Sequence, residues 1–445
     1  MFVHDLGWLW NEQHRVATMG ADLLEQVRVL DPQGGIDRIT DVLIPEPHTL
    51  IVDPQPDQIP RSVQHHPAQG QILAPGLVDL HGRSGQPGHE DRETWDSLAA
   101  AALGGGFTQL GILPNTRPPL DQAELVSQRC GQSYPVQFHH WGALTLGCQG
   151  QQMTELAELA AAGVVGFSDG SPIQDWALVR RILEYGQPLA KPMALWPWNR
   201  DLAGTGVARD GVLALRYGLS GVPGLAETLP LAGLLECVAE LGTPLHLMRL
   251  STARGVELVA QAKAQGLPIT ASTTWLHLLH NTEDLASYDP NLRLSPPLGN
   301  PEDQHALIAA VASGVIDAIA TDHAPYTYEE KTVAFGEAPA GSIGLELILP
   351  LLWQTFVAPG HWSALDLWRC LCLNPARILG LVPPSLVTGN GGWVWFDPQR
   401  SWPVEAASLR SRSCNTSYLG QTLQGQVLKT VASRSVWVND GLNSG

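Results

Sequence analysis

The sequence predicts an α/β protein: a (β/α)8 barrel of the TIM type with a small β-domain formed by the N- and C-terminal segments. Two observations carry that expectation. Across residues 74–384, eight short apolar runs alternate with Ala-, Leu- and Glu-rich segments, the signature of repeated βα units. In residues 1–73 and 385–445, strand-like runs follow one another with no helical pattern between them, which implies one discontinuous β-domain. A chain of 445 residues accommodates both units.

Taken in order, residues 1–18 precede the first strand-like pattern and read as an extension, with either Met1 or Met19 as the start. They show no basic region followed by an apolar one, so no signal peptide is expected. Leu23–Leu30, closed by Asp31-Pro32, reads as a strand and turn; Asp41–Ile44 and Thr49–Val52 read as further short strands. The expected barrel strands are Leu77–His81, Thr108–Leu113, Val136–Leu144, Val164–Phe167, Pro192–Trp196, Leu245–Leu250, Ile269–Thr273 and Ala318–Thr321. Thr94–Leu103 before Gly104, and Ala253–Gln265 before Gly266, are helices with glycine stops. Gly392–Phe396, Gly425–Val431 and Ser435–Val438 complete the β-domain.

Composition excludes several classes of partner. A formal net charge of −17 disfavours nucleic acid and anionic membrane surfaces. No apolar run reaches membrane-spanning length, and a cytoplasmic location is expected. With 44 % hydrophobic and 16 % charged residues the chain reads as a compact globular protein. Its six scattered cysteines include no C-x-x-C pair, so they read as buried thiols of a reducing compartment.

The chemistry gathers where strands end, the face of such a barrel that carries active sites. Pro75–Gly88 reads P-G-L-V-D-L-H-G-R-S-G-Q-P-G, and Gly163–Pro172 reads G-V-V-G-F-S-D-G-S-P. Lys191–Asp201 reads K-P-M-A-L-W-P-W-N-R-D, Pro244–Thr252 reads P-L-H-L-M-R-L-S-T, and Asp317–Tyr326 reads D-A-I-A-T-D-H-A-P-Y. Gly105–Pro118, Ser295–Gly299, Gly341–Glu346 and Ser413–Gly420 add four more distinctive strings. Together they resemble the dihydroorotase family of the amidohydrolases over nearly the whole chain from Leu23.

The resemblance implies a barrel whose active members hold two zinc ions, which activate a bridging water and polarise a cyclic amide. It places remnant metal positions at His81, Asp169 and Asp322, with Asp322 also the general base of active relatives, and a substrate-binding asparagine at Asn115. It also exposes losses. Arg83, Trp196 and Arg249 stand where metal-binding histidines are expected, and Gly85 stands where a substrate-binding arginine is expected. Gly170 replaces a second aspartate, and Gly299 takes the place of another arginine. Neither guanidinium nor indole offers a lone pair to zinc. His246 lies three residues before Arg249, and strand alternation puts it on the other face. Taken alone, Asp169 before Gly170-Ser171-Pro172 also reads as a turn residue.

Removing two cations would leave Asp169 and Asp322 unpaired, at heavy cost if buried. The expectation is therefore that Arg83 and Arg249 pair with those aspartates. His81, Asn115, Asp169, Trp196, Arg249 and Asp322 should meet at one barrel mouth. The function these losses imply is that of a non-catalytic dihydroorotase-like chain of pyrimidine biosynthesis, needing no cofactor. Its role would be structural or regulatory, beside aspartate carbamoyltransferase or through self-association. The alternatives are a zinc-dependent dihydroorotase with a reduced site on His81, Asp169 and Asp322, and a small-molecule sensor that keeps Asn115 in a metal-free pocket.

Overall fold

The computed structural model describes residues 21–432 and 435–439; the expected extension at 1–18 and the alternative start at Met19 lie outside the described residues. Eight parallel barrel strands follow one another: β1 (Leu77–Gly82), β2 (Phe107–Ile112), β3 (Gln137–Gly142), β4 (Gly166–Phe167), β5 (Ala194–Leu195), β6 (Leu245–Leu247), β7 (Ile269–Thr274) and β8 (Ala318–Ala320). They pair in two ribbons, β1-β2-β3-β4 and β5-β6-β7-β8. The first seam between the ribbons is a parallel bridge from Phe167 to Met193, backed by the Phe167 amide donating to the Pro192 carbonyl at 2.8 Å. At the second seam the Asp79 carboxylate accepts from the Thr321 amide at 2.8 Å and its hydroxyl at 2.7 Å.

Alternation along the strands sorts their side chains. Val78 and Leu80, Ala194, Met248, Ala318 and Ala320 fall in one buried cluster, and their period-two spacing places it inside the barrel. The intervening positions pack outward on helices, as Leu245 and Leu247 do with Val259 and Ala262. Helix Trp95–Gly104 begins at Thr94, whose side chain accepts from the Ser97 amide. Helix Ala253–Ala264 begins at Thr252, which accepts from Gly255 in the same way.

Both ends of the chain share one eight-stranded sheet. Its order is Ser435–Val438, Thr422–Ala432, Trp393–Pro403, Ile72–Pro75, Asp22–Asp31, Ile36–Glu46 and Thr49–Val52, with Gln64–Pro67 pairing parallel to Asp22–Asp31. The strands at 64–67 and 72–75 carry no clear alternation and were not among those expected from sequence. No helix among the described residues is long and apolar enough to cross a membrane. All six cysteines are unpaired, and Cys130 is exposed rather than buried.

Burial pushes the Asp79 carboxyl up to about 7 against the pull of its Thr321 bonds, so folding takes up a proton there. Asp79→Ala strands two buried donors, at about 1–3 kcal/mol each. We expect denaturant titration to show a loss of roughly 2–4 kcal/mol. Because stability from a raised acid fades as pH climbs from the ordinary value of 3.8 to about 7, the deficit should be larger near pH ~5 than near pH ~8. A loss under about 0.5 kcal/mol at both would mean the seam does not depend on this carboxylate.

Candidate functional site

At the C-terminal mouth of the barrel one ion pair organises the rest. Arg249, 1 % exposed, follows β6; Asp322, whose side chain is 21 % exposed, follows β8. Arg249 Nε lies 3.0 Å from each Asp322 oxygen and Nη2 lies 2.6 Å from Oδ1. Nη1 donates to the Gly170 carbonyl at 3.0 Å. The guanidinium also sits over the Trp196 ring, 5.0 Å from its centre, and Trp196 stacks on Trp198 at 5.5 Å. Both members of the pair have left-handed backbones, φ 57° at Arg249 and φ 44° at Asp322, a conformation unfavourable for non-glycine residues unless the surroundings impose it.

His81 completes the cluster, with Nδ1 3.2 Å from Asp322 Oδ1 and Nε2 buried without a partner among the described residues. Burial lowers its pKa, outweighing the pull of Asp322, so the neutral imidazole donates from Nδ1. At Asp322 burial pushes upward, but the Arg249 guanidinium and the His81 hydrogen bond win, and the carboxyl is held well below the usual range.

Two expected members stand just after their strands but outside the ion-pair cluster. Asp169 turns its carboxylate toward the end of β3, accepting from the Leu144 amide at 2.7 Å, the Thr145 amide at 3.0 Å and the Thr145 hydroxyl at 2.5 Å. Burial raises it to about 6 against those bonds. It therefore ties one loop to another and pairs with no arginine. Asn115 is exposed after β2 and does not line the mouth cavity. The expected role of Arg83 also needs correction: its side chain donates to the Tyr326 hydroxyl at 3.4 Å, Nε is buried without a partner, and the guanidinium makes no ion pair with a carboxylate among the described residues.

Both glycines that stand for expected arginines are closely packed, Gly85 against backbone and Gly299 against a side chain. A Cβ on Gly85 would lie 2.3 Å from the His89 carbonyl and 2.4 Å from that of Glu93, so no arginine fits there without displacing that turn. A Cβ on Gly299 would meet Asp303 at 2.5 Å. His246 is buried between Thr270 and Ser272, 2.9 Å from each hydroxyl, and burial lowers it to about 3. It is not available as a substitute ligand.

A zinc centre needs three or more converging donors. Among the described residues no three His, Cys, Asp or Glu side chains are placed to hold a metal ion. Asp322 gives both oxygens to Arg249, and Asp169 faces another loop. The residues present do not fit the metal pair, and the reduced set of His81, Asp169 and Asp322 is not assembled.

Sequence reasoning overlooked Glu93 and His323. Glu93 is fully buried and accepts from Ser97, Ser411 and the Arg412 amide, and its Oε2 lies 3.3 Å from His323 Nε2. It locks the loop after β1 to the loop after β8. The only sequence signal was a carboxylate just ahead of a helix cap.

Removing one partner of a buried pair typically costs roughly 3–5 kcal/mol, because the other charge is stranded. Arg249→Ala should lose about that much in denaturant unfolding, and adding Asp322→Ala should recover part of it. A loss for the single change no larger than about 0.5 kcal/mol, as for an exposed arginine, would contradict the pairing's structural role.

Comparison with known proteins places this arrangement. The dihydro-orotase-like family matches residues 70–252. A probable dihydroorotase-like protein of Synechocystis is 45 % identical over 91 % of this chain and 98 % of its own. A dihydroorotase of Pelotomaculum thermopropionicum is 36 % identical over 84 % of this chain and 88 % of its own. Among solved structures, the L-hydantoinase of Arthrobacter aurescens superposes with a TM-score of 0.81 at 20 % identity, covering 95 % of this chain and 96 % of that one. The D-hydantoinase of a Thermus species gives 0.76 at 21 % identity, covering 94 % of this chain and 96 % of that one. Barrel, β-domain and sequence agree, and the chain belongs to the dihydroorotase family of the amidohydrolases.

Proposed function

We propose that this chain is a non-catalytic member of its family, with a structural or regulatory role in pyrimidine biosynthesis. The observation that carries the reading is the Arg249 guanidinium, which takes both oxygens of Asp322 and the Gly170 carbonyl in the part of the mouth where family enzymes gather metal ligands. Hydrolysis of a cyclic amide needs a polarised carbonyl and an activated water. Here the general-base position is neutralised by an arginine and the donor set for a metal is not assembled. The carboxylate clamp expected at residue 85 is a glycine packed against backbone. The barrel and β-domain persist around this altered mouth.

The family resemblance suggests a partner, since non-catalytic chains of this family assemble with aspartate carbamoyltransferase. A scaffold retained without its chemistry supports such a role. Co-sedimentation of the purified chain with the aspartate carbamoyltransferase of the same cell tests it; independent sedimentation at micromolar concentration would remove that partner, leaving self-association to be read in the same run.

Protein purified without chelator should contain well under one zinc per chain by elemental analysis, and should turn over neither carbamoyl aspartate nor dihydroorotate. Near-stoichiometric zinc that disappears in Asp322→Ala, or metal-dependent turnover that needs Asp322, would overturn the reading.

A further inference from the structure

The floor of the barrel, at the end opposite the Arg249–Asp322 pair, carries a second cavity of about 400 Å³, within the size range of small-ligand sites. Gln109 of β2 and His139 of β3 reach it from inside the barrel. Gly111 is paired with His139, and period-two alternation puts Gln109 on the face of Gly111 and His139 on the face of the inward-packed Trp141. The facing wall comes from the β-domain and the chain leading into it, with Leu50, Leu381, Leu386 and Trp393. Trp393 is fixed there: its indole N–H donates to the Pro47 carbonyl at 2.8 Å, and the Lys429 ammonium sits 5.6 Å from its ring centre.

The polar groups of this floor are uncharged and only half used. His139 Nε2 lies 3.0 Å from Gln109 Oε1, so the ring donates from Nε2 and leaves Nδ1 as an acceptor. Burial lowers that imidazole to about 4 and keeps it neutral. Gln109 is 4 % exposed, yet its amide nitrogen donates to nothing among the described residues. Neither that nitrogen nor His139 Nδ1 is sealed from the cavity. An unused donor beside an unused acceptor is costly in so shielded a place. No aspartate, glutamate, lysine or arginine lines the space, so nothing in its wall balances a charged guest.

We propose that this cavity binds an uncharged, flat nitrogen heterocycle with a donor beside an acceptor on one edge, the pattern of an aminopurine. The Gln109 amide nitrogen donates to a ring nitrogen, and His139 Nδ1 accepts from the neighbouring amino group. The flat body fills the slot between Trp393 and the leucines. The site lies at the far end of the barrel from the mouth and does not depend on whether the mouth is catalytic. Its two walls belong to different units, so an occupant ties the barrel to the β-domain.

Calorimetry on the full chain tests this with adenine as the probe and purine, which lacks the amino group, as its control. Adenine should bind saturably, one per chain, more tightly than purine, and should raise the melting temperature as it binds. His139→Phe removes the acceptor, so it should weaken adenine about fivefold or more and leave purine unchanged. Gln109→Leu removes the donor and should weaken both. No saturable adenine binding at roughly millimolar concentration, purine binding as tightly as adenine, or His139→Phe weakening the two equally would each overturn the proposal. Should either variant fail to fold, Leu50→Trp serves: it fills the cavity from the β-domain side without touching the floor. Adenine affinity undiminished in that variant would place the ligand elsewhere and overturn the assignment.

Discussion

At the barrel mouth a buried guanidinium and a partly exposed carboxylate meet, and each is tolerable there because of the other. Arg249 alone would be a buried cation facing the Trp196 ring; Asp322 alone would be a carboxylate beside a neutral imidazole. Together they form a fork against two oxygens, with the last donor spent on the Gly170 carbonyl. Both backbones are left-handed, a conformation that persists only where the surrounding structure imposes it. The strain indicates how firmly the surrounding loops impose this geometry.

That contact also explains the neighbours. Arg249 has one carboxylate within reach, and Asp169 turns away from it to accept three hydrogen bonds from Leu144 and Thr145. His81 stays through one hydrogen bond and remains neutral. Arg83 and Arg200 line the same mouth and make no ion pair among the described residues.

Much of the fold was legible in the sequence, because short apolar runs and glycine stops report local physics. All eight barrel strands overlap the runs that predict them, and both singled-out helices form, over Trp95–Gly104 and Ala253–Ala264. The pieces that were missed, such as Gln64–Pro67, are strands made by pairing rather than by pattern. At the site, residue type told which groups could not bind metal, but not where the survivors would point. Asp169 in D-G-S-P serves equally as ligand or turn anchor, and the choice depends on Thr145, which arrives from another strand. Arg83 and Arg249 look interchangeable in sequence. A positive φ aims one of them at Asp322, and no local signal announces it.

The central claim is that a guanidinium has taken the place of metal in neutralising Asp322. Crystallographic diffraction collected at the zinc absorption edge, on protein grown with added zinc, addresses it in one measurement. The account predicts continuous density for Arg249 bonded to both Asp322 oxygens and no anomalous peak near His81. A strong anomalous peak coordinated by His81 and Asp322, with Arg249 swung out of the mouth, would contradict it.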